Sequence, residues 1–176
     1  MRAQFATALA LAAAAFVGTA NAGPSPQTGN FNVTANVAGS CVITATPTLA
    51  FGTYDPTDVN NATALDGQSS ISVRCTRGTV ATVALGQGNN AATGSTCVAP
   101  LRQMASGAER LRYDIYQTAA RTTVWGCQTG AGANTQGFTS ISSLTPTVLQ
   151  TFGRIPAGQD VPTGSFSDTV QVTVTF

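Results

Sequence analysis

The chain has no histidine, no lysine and a single glutamate, Glu109, and only 9% of its 176 residues are charged. Without histidine, nucleophilic pairs of the Ser–His or Cys–His kind are excluded and the commonest metal ligand is missing. A formal net charge of +1 offers no basic excess, which argues against nucleic acid or an anionic membrane surface as partner. Sparse charge also gives weak protection against association, which suits a protein that assembles. The four cysteines, Cys41, Cys75, Cys97 and Cys127, show no CxxC spacing and have no histidine to complete a zinc site.

What is present begins with an export signal. Arg2 precedes an apolar run from Phe5 to Val17, and Ala20-Asn21-Ala22 supplies the small residues of a cleavage site. Residues 1–22 therefore read as a secretory signal, with Gly23 as the mature start; the run is too short for a membrane-spanning helix. Roughly 150 mature residues suffice for one domain with a sizeable core. In an exported chain, four cysteines are most simply two disulfides. Three pairings are possible, and Cys41–Cys75 with Cys97–Cys127 is the one we favour.

Beyond the signal, nothing reads as helix. Short runs rich in Val, Ile, Thr, Phe and Tyr alternate with Gly, Asn, Pro and Ser clusters. The runs are Phe31–Val37, Cys41–Thr46, Ser69–Cys75, Thr79–Leu85, Leu111–Gln117, Val148–Ile155 and Thr169–Phe176. Turns are expected at Tyr54–Pro56, Asp66-Gly67, Gly86–Asn90, Gly130–Gly132 and Pro156–Gly158, and surface loops at Asn89–Thr96 and Thr129–Gly137. This pattern predicts an all-β sandwich or barrel. The final run alternates strictly: Val170, Val172, Val174 and Phe176 on one face, Thr169, Gln171, Thr173 and Thr175 on the other. Such a strand is an aggregation hazard unless something pairs with it.

Candidate chemistry is thin. Asp55, Asp58 and Asp66 suit turn hydrogen bonding better than Ca²⁺, since no EF-hand spacing is present. Gly86-Gln-Gly88 lacks a following helix and reads as a turn, not a phosphate cradle. Asn32-Val-Thr34 and Asn61-Ala-Thr63 match the glycosylation pattern. Arg74, Arg77, Arg102, Arg110, Arg112 and Arg121 belong on solvent faces or beside Asp114 and Glu109. Tyr113 and Trp125 read as packing, not as a sugar platform. No catalytic constellation, cofactor site or small-molecule substrate is indicated.

Several blocks occur in order: Cys41-Val-Ile, Leu49-Ala-Phe-Gly-Thr-Tyr-Asp-Pro56, Ile71-Ser-Val-Arg-Cys75, Leu101-Arg-Gln-Met104, Leu111-Arg-Tyr-Asp-Ile-Tyr116, Trp125-Gly126, Phe152-Gly-Arg-Ile-Pro-Ala-Gly-Gln159 and Gly164-Ser-Phe-Ser-Asp-Thr-Val170. This set resembles the spore coat protein U domain family, subunits of archaic chaperone–usher pili, over essentially the whole mature chain. The resemblance implies an incomplete immunoglobulin-like Greek-key sandwich over residues 41–176, completed by a donor strand, with residues 23–40 as the donor segment. It implies as partners a periplasmic chaperone, an outer-membrane usher and neighbouring subunits, with export through the periplasm to the cell surface. Carried onto this chain, the donor knobs are Phe31, Val33, Ala35 and Val37. The acceptor-groove edge and chaperone contact is the strand bearing Val170, Val172, Val174 and Phe176. Phe31–Val37 has an alternative role as the domain's own first strand, but Cys41–Thr46 can fill that place, which favours the donor reading. Fibre subunit, tip adhesin and deposited coat protein are the functions to be separated. An adhesin would need exposed apolar loop residues, which the polar loops are not expected to offer.

Overall fold

The computed structural model describes Gly18 and residues 23–176; the export signal expected over residues 1–22 otherwise lies outside the described residues. Val37–Phe176 forms one compact unit and the residues up to Asn36 another. In the latter, the described residues contain no helix or strand.

Alternation at period 2 builds most of the fold. Strand β1 (Cys41–Ala45) pairs antiparallel with β2 (Leu65–Cys75), and β2 pairs with β8 (Thr147–Ile155). β6 (Asp114–Tyr116) closes the other side of β8, giving the order β1-β2-β8-β6. The second sheet has the order β7-β3-β9, from β7 (Gln136–Thr139), β3 (Val80–Leu85) and β9 (Val172–Thr175). A hairpin of β4 (Gln103–Ser106) and β5 (Glu109–Arg112) belongs to neither sheet and is bridged to Ser167 through Ala105.

The longer strands bury every second residue, over Ile71–Cys75 in β2, Ala81–Leu85 in β3 and Leu149–Ile155 in β8. Ile71, Val73 and Cys75 of β2, Ala81, Val83 and Leu85 of β3, and Leu149 and Ile155 of β8 form one core with Leu111, Tyr113, Ile115 and Trp125. Outward positions carry Ser, Gln and Arg, as a one-faced strand requires. This is an immunoglobulin-like sandwich, as the resemblance implied. Bonds Cys41–Cys75 and Cys97–Cys127 are both formed. The first staples directly opposed residues of β1 and β2.

Four expectations are corrected. Asp66-Gly67 is no turn: both lie inside β2, opposite Arg154 and Gly153. An Asp-Gly pair followed by Gln68-Ser69-Ser70 looks like a turn when the cross-strand partner is unknown. One helical turn, α1 (Val59–Ala62), interrupts the all-strand reading, held by Asn60, whose side chain accepts from Asp55 N and donates to Thr63 O. The run Leu111–Gln117 divides at Tyr113 into β5 and β6, which pair with different neighbours. The segment Thr129–Gly137 is not all surface loop: Gln136 and Gly137 enter β7 and Asn134 is buried.

Candidate functional site

Between the sheets lies an open groove of about 1280 Å³. Its floor is apolar: Ile71, Leu85, Met104, Leu111, Ile115 and Ile155. One rim is the stretch Thr46–Thr53; the other is Val161–Val172, leading into β9. An irregularity between Ile43 and Ala45 shifts the β1 register, after which the chain leaves β2. From Thr48 the side chains still alternate, with Leu49 and Phe51 half-buried and Thr48, Ala50 and Gly52 exposed. Among the described residues, no main-chain hydrogen bond to other main chain forms from Thr46–Thr53. This rim is strand-like without being laddered.

On the opposite rim Ser167 pairs with Ala105 of β4, Ala105 N donating to Ser167 O at 2.8 Å and Ser167 N to Ala105 O at 3.1 Å, and the later residues bond toward the end of β3. Gln171 O accepts from Gly86 N at 2.8 Å and Thr169 O from Asn89 N at 3.1 Å. β9 then pairs with β3 through Val172–Thr175, and among the described residues no strand pairs with its other side. Two rims thus border an apolar trough, and among the described residues no strand joins one to the other. Buried main-chain groups are almost always paired, so rims of this kind are a template for an added strand.

A polar network sets one wall. Asp168 Oδ1 accepts from Asn89 N at 3.0 Å, Asn90 N at 3.2 Å and Asn90 Nδ2 at 3.0 Å, while Oδ2 accepts from Tyr113 Oη at 2.7 Å. Burial first, then the Asp168 bond, pushes the Tyr113 pKa far above the ordinary tyrosine range. Arg102 lies deeper and is fully buried, not on a solvent face as expected. It donates through Nε to Gly86 O at 2.9 Å, and through Nη2 to Gly86 O at 2.7 Å, Trp125 O at 2.7 Å and Leu85 O at 3.1 Å. These carbonyls lie where β3 ends, and a guanidinium can satisfy such a convergent set when no strand does. The signal in the sequence was position: Arg102 follows Pro100-Leu101 in a stretch with no nearby acid to pair with it.

Of the edge residues expected from the last run, Val170 and Val172 line the groove. Val174 packs half-buried against the core, and Phe176 is exposed. Phe31, Val33, Ala35 and Val37 are all exposed. Tyr113 and Trp125 are core residues, with Trp125 Nε1 donating to Val83 O at 2.9 Å. Asp55 accepts from Thr57 N, Thr57 Oγ1 and Asp58 N, a local turn network, and Asp66 pairs with Arg154 and Arg121. Arg112 lies 3.5 Å from Asp114. The polar-loop expectation also fails at one place: Ile141 and Leu144, in the loop from β7 to β8, are 86% and 88% exposed.

The family model for the Spore Coat Protein U domain matches residues 27–173. Protein U of Myxococcus xanthus is 42% identical over 178 residues, covering 97% of each chain. Among solved structures, the chain is similar to one in the chaperone–tip adhesion subunit pre-assembly complex of archaic chaperone–usher Csu pili from Acinetobacter baumannii. That match has 26% identity and a TM-score of 0.55 over 80% of this chain, which spans 40% of the other. The chain belongs to the Spore Coat Protein U domain family.

Proposed function

We propose that the protein is a structural subunit of an archaic chaperone–usher pilus that polymerises by donor-strand exchange and serves in adhesion and biofilm formation. One observation carries the reading: an apolar groove of about 1280 Å³ lies between two rims that, among the described residues, have no strand between them. The match to a chain of a chaperone–tip adhesion subunit complex from archaic chaperone–usher pili supports it.

Residues 23–40 are the donor segment. The run Phe31–Val37 belongs to no strand, and its apolar members are exposed. Inserted into the groove of a neighbouring copy, Phe31, Val33, Ala35 and Val37 become the knobs that complete its core. Each larger side chain buried this way contributes about 1.5–3 kcal/mol, and the ladder to both rims adds main-chain bonds with register set by the alternate side chains. During export a periplasmic chaperone fills the groove first, contacting Val170, Val172, Val174 and Phe176. At the outer-membrane usher the next subunit's segment replaces it.

A second reading has its own observation. Ile141 and Leu144 expose two large apolar side chains on one loop, as a tip adhesin or a deposited coat protein binding an apolar surface would require. Both use the same groove for assembly.

The test is gel mobility of the exported protein in SDS, unheated and boiled, beside a variant lacking Phe31–Val37. We expect a ladder that survives SDS, collapses on boiling and disappears in the variant. A lone folded monomer, unchanged by the deletion, removes the donor role and leaves a terminal or self-complemented subunit.

A further inference from the structure

The unpaired rim Thr46–Thr53 is held in place by side chains alone. Gly67 and Gly153 face each other across β2 and β8, and neither has the positive φ that would itself demand glycine. What they provide is room. A Cβ on Gly153 would lie 2.6 Å from Phe51 Cζ and 2.8 Å from Leu49 Cδ2. A Cβ on Gly67 would lie 3.0 Å from Phe51 Cδ1 and 3.2 Å from Ala50 O. The two missing side chains therefore make a notch in the inner face of the sheet, and the Phe51 ring occupies it. The same ring meets Tyr113 edge-on at 6.2 Å between centroids. Beside it, Ser69 Oγ donates to Pro47 O at 2.9 Å.

We propose that the Gly67–Gly153 notch is a positioning device for strand capture: it seats Phe51 so that the rim lies at bonding distance from an incoming strand without being laddered to a strand of its own sheet. The proposal rests on the groove being a strand acceptor. A rim laddered onto β2 would spend its donors and acceptors there and have none for a partner. A rim left unanchored would have to be ordered at each capture, with an entropic cost for every residue fixed. Seating by Phe51 and Leu49 avoids both. The notch also brings the two sequence blocks LAFGTYDP and FGRIPAGQ together, Leu49 and Phe51 lying against Gly153. Beyond the notch, Tyr54 Oη donates to Pro156 O at 3.1 Å and accepts from Gln159 N at 2.9 Å, so the blocks interlock along their length.

Gly153→Ala fills the notch and drives the Phe51 ring toward the groove, since Cβ contacts this short require a shift of the ring or the sheet. The experiment compares SDS-resistant ladders of the exported full chain for wild type, Gly153→Ala, Gly67→Ala and the double variant Gly153→Ala/Phe51→Leu. Near-UV circular dichroism of buried Trp125 reports the folded state of each. We expect about a tenfold or greater loss of ladder in Gly153→Ala, a smaller loss in Gly67→Ala, and recovery in the double variant, where the side chain at position 51 is smaller. Such rescue would not follow if Gly153 served only the stability of β8. Equal ladders in wild type and Gly153→Ala overturn the notch, and so does a loss that the double variant fails to restore. A wild type that forms no ladder at all overturns the strand-acceptor reading itself, and the inference with it.

Discussion

Arg102 and Tyr113 carry more of the sandwich than their residue types suggest. Arg102 concentrates its donors on three carbonyls at the end of β3, so Arg102→Met keeps much of the volume but strands those acceptors. A buried polar group left unpaired costs about 1–3 kcal/mol, and we expect Arg102→Met to lower stability by about 3 kcal/mol or more, read from the denaturant midpoint at unchanged slope. Tyr113 binds Asp168 at the groove wall. Its folded pKa is raised, so the native state keeps the phenolic proton that an unfolded chain loses above about pH 10. This contribution is complete below that pH and is lost as pH rises toward the folded pKa. Tyrosinate absorbance should show Tyr113 silent until alkaline unfolding. Tyr113→Phe should remove that late signal and cost about 2 kcal/mol at neutral pH, the range for a hydrogen bond to a charged group.

Among elements, β1 depends most on a covalent bond. It pairs with β2 alone, loses register after Ile43, and carries the rim that follows. The two disulfides close loops of similar separation, 34 and 30 residues, so chain entropy assigns each about 4 kcal/mol. Their loss should therefore lower thermal stability alike, yet the consequences should differ in place. Removing Cys41–Cys75 by paired Ala substitution should open the chain near Ala45–Thr53 to limited proteolysis. Removing Cys97–Cys127 should open the loops around those cysteines and leave the rim intact. Equal cleavage patterns would show that β1 is held by its ladder and not by the bond. The strands overlooked from sequence, β4 and β7, are four residues each and lie in segments rich in Gln, Ser and Gly. Half-buried strands of that composition have no apolar alternation to detect; pairing with Glu109–Arg112 and with β3 makes them strands.

For the whole molecule, the decisive property is that neither sheet edge at the groove is finished. An unassembled subunit exposes an apolar trough of this size only at the risk of association. With a net charge of +1, repulsion does little to prevent it. The strand capture proposed above should then be insensitive to salt if burial and main-chain bonding drive it; ladder yield unchanged between low and high ionic strength is the expected result, and a steep fall with salt would point to charge pairing instead.

The sequence by itself determined the strand runs with their inward faces and the order of family blocks. Alternation is a local property, and Ile71–Cys75, Val80–Leu85 and Val148–Ile155 display it within a few residues. Tertiary structure alone decided which polar residues are interior. Arg102 is buried because the end of β3 brings three carbonyls together, and Asp66-Gly67 is strand because Gly153 and Arg154 stand opposite. Tertiary structure also decided that Gly67 and Gly153, 86 positions apart, form one notch for Phe51. Cross-strand register joins residues that no local pattern relates, and the groove is made of such joins.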